Sequence, residues 1–257
     1  VKAVLTIGQK EYQIDFSKPL DISMSLRDSL DNPIAWYLDK PEIQPVRIDG
    51  WVGKVSEGQS STNFNTIVFN PHAHGTHTEC LGHITHDFYS INKQLKTFVF
   101  LSQLITVVPI KSGDDFVITK ELIQSEFKSN GQEALVIRTL PNGGDKLSKN
   151  YSHTNPPYLD VEATLYIKEQ GVKHLLIDLP SVDKEKDEGM LVSHKAFWGI
   201  NDVVKIGEEA RMDCTITEMV YVENKINDGF YILNLQIAPF ENDASPSKPV
   251  LYNIENV

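Results

Sequence analysis

Two stretches of the chain repeat one order of elements, a helix, then a glycine, then an apolar strand, and that order points to the α/β class. In one stretch Asp160 is placed to cap a helix whose apolar residues Leu159, Ala163, Tyr166 and Ile167 fall at i, i+4, i+7 and i+8. Gly171 supplies the left-handed stop, and His174-Leu175-Leu176-Ile177-Asp178 is the strand that follows. In the other, Thr119 opens a helical stretch ending near Gly131, and Ala134-Leu135-Val136-Ile137 is a near-continuous apolar run of the kind buried on both faces of a sheet. The flanks add strands. Residues 1–16 alternate apolar and polar side chains across Gly8-Gln9 and read as a hairpin, residues 66–69 and 105–110 read as strands, and residues 219–222 are expected to pair with 231–237 around Asn227-Asp228-Gly229. The expectation is a strand-rich α/β fold, with residues 1–257 forming a single domain and no linker dividing it.

Charge narrows the partners. The chain of 257 residues carries 24 Lys plus Arg against 35 Asp plus Glu, a formal charge of −11 with His neutral. That balance argues against nucleic acid or an anionic membrane as partner, because both need basic patches to meet phosphates. The most apolar stretch, residues 98–110, is interrupted by Ser102, Gln103 and Thr106 and is shorter than the ~18 residues of a membrane span. Nothing at the amino terminus resembles a signal peptide, so a cytoplasmic location is the default, although a removed leader would leave no trace. Cys80 and Cys214 are too few for a disulfide framework, and no Gly-x-Ser-x-Gly elbow marks a serine hydrolase.

Histidine is the richer resource. His72, His74, His77, Glu79 and His83 place four imidazoles and a carboxylate within twelve positions, with His86 and Asp87 just beyond. On an extended backbone side chains two apart share a face, so His77 and Glu79 can converge on one ion while Gly75 allows close backbone approach. Imidazole plus carboxylate without thiolate suits Zn²⁺, Mn²⁺ or a similar divalent ion. The same cluster is also compatible with a His-rich surface loop, since local spacing supplies no remote ligands.

Resemblance separates the two readings. Gly75-Thr76-His77-x-Glu79-x-Leu81-x-His83 resembles the His-x-Gly-Thr-His-x-Asp-x-Pro-x-His signature of the cyclase family of metal-dependent hydrolases, which includes bacterial kynurenine formamidases and isatin hydrolases. Asp21-Ile22-Ser23, the segment 88–110, the run from Gly171 to Asp183 and His194-Lys195-Ala196-Phe197 resemble further family stretches in the same order, so the similarity covers most of the chain. The resemblance implies the swivelling β/β/α fold, a homodimer or homotetramer, and one or two divalent ions, Zn²⁺ first and Mn²⁺ second. It makes His77, Glu79, His194 and Glu218 metal ligands, with Glu208, Glu209 and Glu223 competing for the last place, and His83 the general acid and base.

It also implies a small-molecule substrate: a small amide or formamide such as N-formylkynurenine, with a cyclic amide or lactone as the alternative. Trp36, Tyr37 and Phe88 are candidates to contact an aromatic substrate. Three departures stand out. Ala73 takes the place of the first signature histidine, Glu79 that of the aspartate, and Leu81 that of the proline. Ala73 binds no metal, so His72 or His74 must be turned inward by a bulge if the ligand is to be replaced. A site with one well-held ion is therefore expected rather than a full two-metal site, and a binding protein that has lost turnover is the further alternative. The loop residues Asp178, Ser181 and Asp183, the charged run 183–188, and His153 and His174 are read as ordinary turn, solvated or structural residues.

Overall fold

A computed structural model describes residues 1–58 and 60–256. Eight strands form the main sheet: β1 (Leu20–Asp21), β2 (His77–Glu79), β3 (Val99–Val107), β4 (Ala134–Thr139), β5 (His174–Ile177), β6 (Thr215–Glu218), β7 (Gly229–Ile237) and β8 (Ala244–Asn253). The spatial order is β7-β3-β4-β5-β6-β2-β8, and β8 pairs back onto β7, so seven strands close into a barrel while β1 lies alongside β8. Closure removes the free edges an open sheet would leave. Strands β3 to β6 are parallel neighbours and the remaining pairs are antiparallel.

Parallel neighbours need crossovers. Helices α2 (Lys120–Glu126), α3 (Val161–Glu169) and α4 (Val192–Trp198) lie in the connections β3 to β4, β4 to β5 and β5 to β6, while the single turn α1 (Ile91–Gln94) precedes β3. The helix–glycine–strand expectation holds in detail for α3: the Asp160 carboxylate accepts from the Ala163 N–H at 2.6 Å, and Gly171 has φ +81°. Every residue of β4 and β5 is buried, as their apolar runs predict. One core joins these strands to the helices through Ile123, Ile137, Ile167, Leu176, Phe197 and Trp198. A second cluster, of Tyr12, Ile14, Leu101, Ile232 and Tyr252, seats the N-terminal hairpin, whose strands Lys2–Ile7 and Lys10–Asp15 pair across Gly8.

Three expectations need correction, and a fourth holds to within one residue. Helix α2 ends at Glu126, and Phe127 is already extended, so the helical stretch does not reach Gly131. The strand expected at 105–110 runs instead over Val99–Val107, with Ile110–Ser112 pairing separately with Asp115–Ile118. The strand near 66–69 is Asn65–Val68, paired with Glu42–Pro45 in a two-stranded arm. The hairpin between 219–222 and 231–237 does not form. Met219 adopts φ +55° and ends β6, while β7 pairs with β3 and β8. Asp228 is occupied elsewhere: it accepts from the Thr106 N–H at 2.8 Å and from Arg138 Nη2 at 2.9 Å. Among the described residues no helix is long and apolar enough to cross a membrane.

Candidate metal centre

Strand β2 is the ruler of the site. It sits between β6 and β8, with Glu218 and Pro246 opposite His77, and Ile216 and Ala244 opposite Glu79. Residues two apart on a strand share a face, as do residues directly opposite on a ladder, so His77, Glu79 and Glu218 project to one side. Thr78 points the other way and bonds Thr217 Oγ1 at 2.8 Å. His77 Nε2 lies 3.4 Å from Glu218 Oε2 and 4.0 Å from Glu79 Oε2. Its Nδ1 meets the Gly75 carbonyl at 3.0 Å, which places the proton on Nδ1 and leaves the Nε2 lone pair facing the carboxylates. His77 Nε2 is buried with no hydrogen-bond partner, and the buried Glu79 Oε2 has only the His72 ring nitrogen close beside it, at 3.1 Å. Buried polar atoms left this way are costly unless another group satisfies them.

Helix α4 delivers His194. Its Nδ1 meets Asp183 Oδ2 at 2.6 Å, and its Nε2 lies 3.0 Å from Glu79 Oε1 and 3.7 Å from Glu218 Oε1. Asp183 also accepts from the Ser193 and His194 N–H groups at 2.8 and 3.1 Å, tying the first turn of α4 to the loop after β5. Glu218 is held in turn, its Oε1 accepting from the Val182 N–H at 2.9 Å. Its competitors Glu208, Glu209 and Glu223 are exposed.

The loop before β2 resolves the fate of the missing histidine. Residues 71–75 form a tight turn rather than a bulged strand: the His72 N–H donates to Asn70 Oδ1 at 2.9 Å, and Gly75 takes φ +138°, which L side chains rarely adopt. The turn buries Ala73, whose carbonyl accepts from the Ala35 N–H at 2.9 Å, and aims the preceding imidazole at the cluster. His72 Nδ1 lies 3.1 Å from Glu79 Oε2. His74 points away. Its Nδ1 accepts from the Asn70 N–H at 2.8 Å and its Nε2–H donates to the Asp39 carbonyl at 2.8 Å, a fully used neutral ring that pins the loop.

His83 completes the rim. The turn Leu81–His83 packs so closely on residue 89 that a Cβ on Gly82 would lie 2.2 Å from the Tyr89 carbonyl oxygen. The His83 ring stacks on His72 with centroids 4.2 Å apart, and its Nε2 lies 3.8 Å from Glu79 Oε2. Beyond both rings stands Asp243, 2.8 Å from His72 Nε2 and 3.4 Å from His83 Nδ1.

These contacts bias protonation. Burial raises the pKa of the Glu79 carboxyl, but His83, His194 and His72 outweigh it and hold the group well below the usual range. Burial pulls His194 down, yet Asp183, Glu79 and Glu218 carry it well above its ordinary value. Burial also lowers His72, but the Asp243 and Glu79 carboxylates overcome it and push the imidazole up to about 10. A group of imidazoles competing for shared carboxylates is what an ion site looks like before its ion displaces the protons. The residues fit a divalent cation. His72, His77 and His194 each have one ring nitrogen fixed by an oxygen acceptor and the other turned toward Glu79, the arrangement by which neighbouring groups orient metal-binding histidines.

A cavity of about 400 Å³ opens onto this cluster, walled by Trp36, Leu38, Asn70 and Leu191 beside His72, His83, His194 and Glu218. Trp36 is fixed by donating its indole N–H to the His72 carbonyl at 3.2 Å. Two of the lining residues, Trp36 and Leu191, take positive φ of 59° and 48°, a cost of roughly 1–3 kcal/mol each. Tyr37 and Phe88 are not brought to the cavity. Tyr37 packs on His153 at the surface, and Phe88 is 64% exposed.

Two further carboxylates were not legible as site residues. Asp183 looks like a turn former and Asp243 sits in an ordinary Glu-Asn-Asp-Ala stretch, although Asp183 stands close enough to His194 in sequence to be suspected. The charged run from Asp183 is also more than a solvated loop, since Asp187 accepts from the Gly189 and Leu191 N–H groups at 2.8 and 2.7 Å and holds the strained Leu191. Asp178 forms a buried ion pair with Lys146 at 2.7 Å. His174 is structural, buried against Phe100 with Nδ1 2.9 Å from Thr215 Oγ1, and Cys80 and Cys214 are buried thiols whose pKa burial pushes up to about 12.

Known proteins share this frame. The family model for Cyclase matches residues 14–184. The kynurenine formamidase of Bacillus cytotoxicus is 26% identical over 238 residues, covering 91% of this chain and 97% of its own, and that of Bacillus mycoides is 24% identical over 237 residues, covering 91% and 97%. Among solved structures, isatin hydrolase A from Labrenzia aggregata superposes with a TM-score of 0.64 at 15% identity, covering 93% of this chain and 94% of its own. A potential metal-dependent hydrolase with cyclase activity gives a TM-score of 0.64 at 16% identity, covering 93% and 98%. Closed barrel, signature turn and a match spanning about two thirds of the residues agree, and the chain belongs to the Cyclase family.

Proposed function

We propose that the protein is a metal-dependent hydrolase that cleaves the C–N bond of a small amide, with an aryl formamide such as N-formylkynurenine as the leading substrate. The observation that carries this reading is the convergence of His72, His77 and His194 on Glu79, each imidazole locked by an acceptor on its far nitrogen. The names of its relatives, kynurenine formamidase among the sequences and isatin hydrolase among the structures, support the reaction class.

His72, His77, Glu79, His194 and Glu218 would hold the ion. Bound there, a divalent cation supplies Lewis acidity, bringing the pKa of a water toward ~7 and polarising a carbonyl. The chain does the rest. His83 is the one imidazole of the group that is both substantially exposed, at 30%, and beside the cavity, which supports the reading that it accepts the proton of the attacking water and returns it to the departing amine. Such acid–base help is worth ~10²–10⁴-fold. Trp36, Leu38 and Leu191 give the substrate an apolar wall and exclude water from that side.

Purified protein stripped with chelator and reloaded with Zn²⁺ or Mn²⁺ should hydrolyse N-formylkynurenine, and His83→Ala should lower kcat by at least ~10²-fold with the ion still bound. Turnover of isatin or a lactone without turnover of formamides would move the substrate to a cyclic amide or ester. No turnover on either panel by metal-replete protein would make it a binding relative.

A further inference from the structure

We propose that Asp243 is a positioning carboxylate that replaces, together with His72, the ligand lost at Ala73, and that it ties the acid–base histidine to that replacement through a single oxygen. The inference rests on reading the cluster as a metal centre and deepens that reading. Its basis is geometric. Asp243 Oδ2 lies 2.8 Å from His72 Nε2 and 3.4 Å from His83 Nδ1, while the opposite nitrogens of the two rings face Glu79 Oε2 at 3.1 and 3.8 Å. Two imidazoles stacked at 4.2 Å are thus held between one carboxylate on the rim and one at the centre.

The fold makes Asp243 a rigid partner. It immediately precedes β8, whose Ala244 pairs with Glu79, and its own carbonyl accepts from the Cys80 N–H at 3.1 Å. Its neighbour is fixed too, because the Asn242 carbonyl accepts from the Ile91 N–H at 2.8 Å. The same ladder therefore sets both carboxylates between which the rings lie.

The need for such a partner follows from the displaced ligand. His72 reaches the cluster from a turn and its side chain is 19% exposed, free to swing outward unless its far nitrogen is held. A carboxylate on that nitrogen selects the Nε2–H tautomer and leaves Nδ1 to face the ion. His72, His83 and Asp243 also lie close enough to form a ligand group of their own, so a second ion there is the competing reading.

Metal binding tests this without any substrate. Titrate chelator-stripped wild type, Asp243→Ala, Asp243→Asn and His72→Ala with Zn²⁺ in competition with a chromophoric chelator, and count ions per chain by elemental analysis. Asp243→Ala is expected to weaken the ion ~10–100-fold and His72→Ala at least as much, with one ion per chain retained, and Asp243→Asn, which keeps an acceptor for the His72 Nε2–H, is expected to fall between Asp243→Ala and wild type. If Asp243→Ala does not fold, the Asn and His72 variants carry the test. Affinity within about twofold of wild type in the folded variants overturns the proposal. So does a wild-type stoichiometry of two ions that Asp243→Ala reduces to one, because Asp243 would then be a ligand. Wild type that binds its ion as described and hydrolyses nothing would refute the proposed reaction and leave this inference standing.

Discussion

Replacing Glu79 by Gln removes the negative charge at the centre of the cluster and keeps its shape. The carboxylate is fully buried and stands 3.0 Å from His194 Nε2, 3.1 Å from His72 Nδ1 and 3.8 Å from His83 Nε2. At 3.0 Å and an effective dielectric near 20, one such pair attracts with roughly 5 kcal/mol, and removing one partner of a buried pair costs ~3–5 kcal/mol because the other charge is stranded. The imidazoles can release protons and the substituted amide would still offer an oxygen to His194, so the lower end, ~3 kcal/mol, is expected for metal-free protein. At about 2–4 °C per kcal/mol for a chain of this size, melting falls by roughly 6–12 °C.

The pH dependence has a definite sign. Glu79 titrates below its ordinary value of 4.5, so its contribution is present above that value and lost as pH falls through the folded one. His194 titrates well above 6.5, so its contribution is complete below 6.5 and lost as pH rises through the folded value. The gap between wild type and Glu79→Gln is therefore widest from about pH 5 to about 6.5, narrows as pH rises through the folded value of His194, and closes on the acid side only well below 4.5. Calorimetry of chelator-stripped proteins from about pH 4 to 10 measures it. A variant melting within about 2 °C of wild type at about pH 6 would refute the electrostatic account.

Other perturbations probe other parts. Asp183→Asn leaves His194 Nδ1 without its carboxylate and should weaken Zn²⁺ ~10–100-fold in a chelator competition, and unchanged affinity would count against its orienting role. Gly82→Ala must push the Tyr89 carbonyl aside and should cost ~1–3 kcal/mol in denaturant unfolding, whereas a neutral result would mean the turn yields freely. Trp36→Ala should raise KM for an aromatic amide about threefold to tenfold with kcat nearly unchanged, while an unchanged KM would place the substrate elsewhere. We propose a homodimer or homotetramer, supported by Phe64, Ile67 and Val68, more than half exposed on and beside the two-stranded arm, and a monomer in sedimentation equilibrium at micromolar concentration would refute it.

Elements whose signal is local were legible in the sequence. The cap at Asp160, the stop at Gly171 and the all-apolar runs of β4 and β5 announce themselves because helix ends and doubly buried strands impose composition directly. Strand β8 was not legible, since Pro246 and Pro249 read as breakers, and only the closed barrel shows that they stand opposite His77 and Leu235. The expected hairpin at 219–237 failed for a related reason: a turn signal at Asn227-Asp228-Gly229 says that the chain bends, not which strand it meets. At the site, spacing identified His77 and Glu79 and resemblance brought in His194, Glu218 and His83, which the structure gathers with them. Choosing His72 over His74 required the turn at 71–75, which no two-residue periodicity encodes. Asp183 and Asp243 act through other side chains, and that relation exists only in three dimensions.

The barrel ladder around β2 also limits how this site can be retuned. His77, Glu79 and Glu218 are spaced by hydrogen-bonded registers on both sides, so none can slide without breaking the closed sheet. Adjustment is confined to the length of a side chain on a fixed backbone and to the turn that precedes the strand. Both of the chain's ligand departures from the family signature are of these two kinds: an added methylene at Glu79, and an imidazole moved from position 73 to 72. A designer seeking a different ion in this barrel therefore has two independent controls, one for reach and one for approach angle, and no need to disturb the strands.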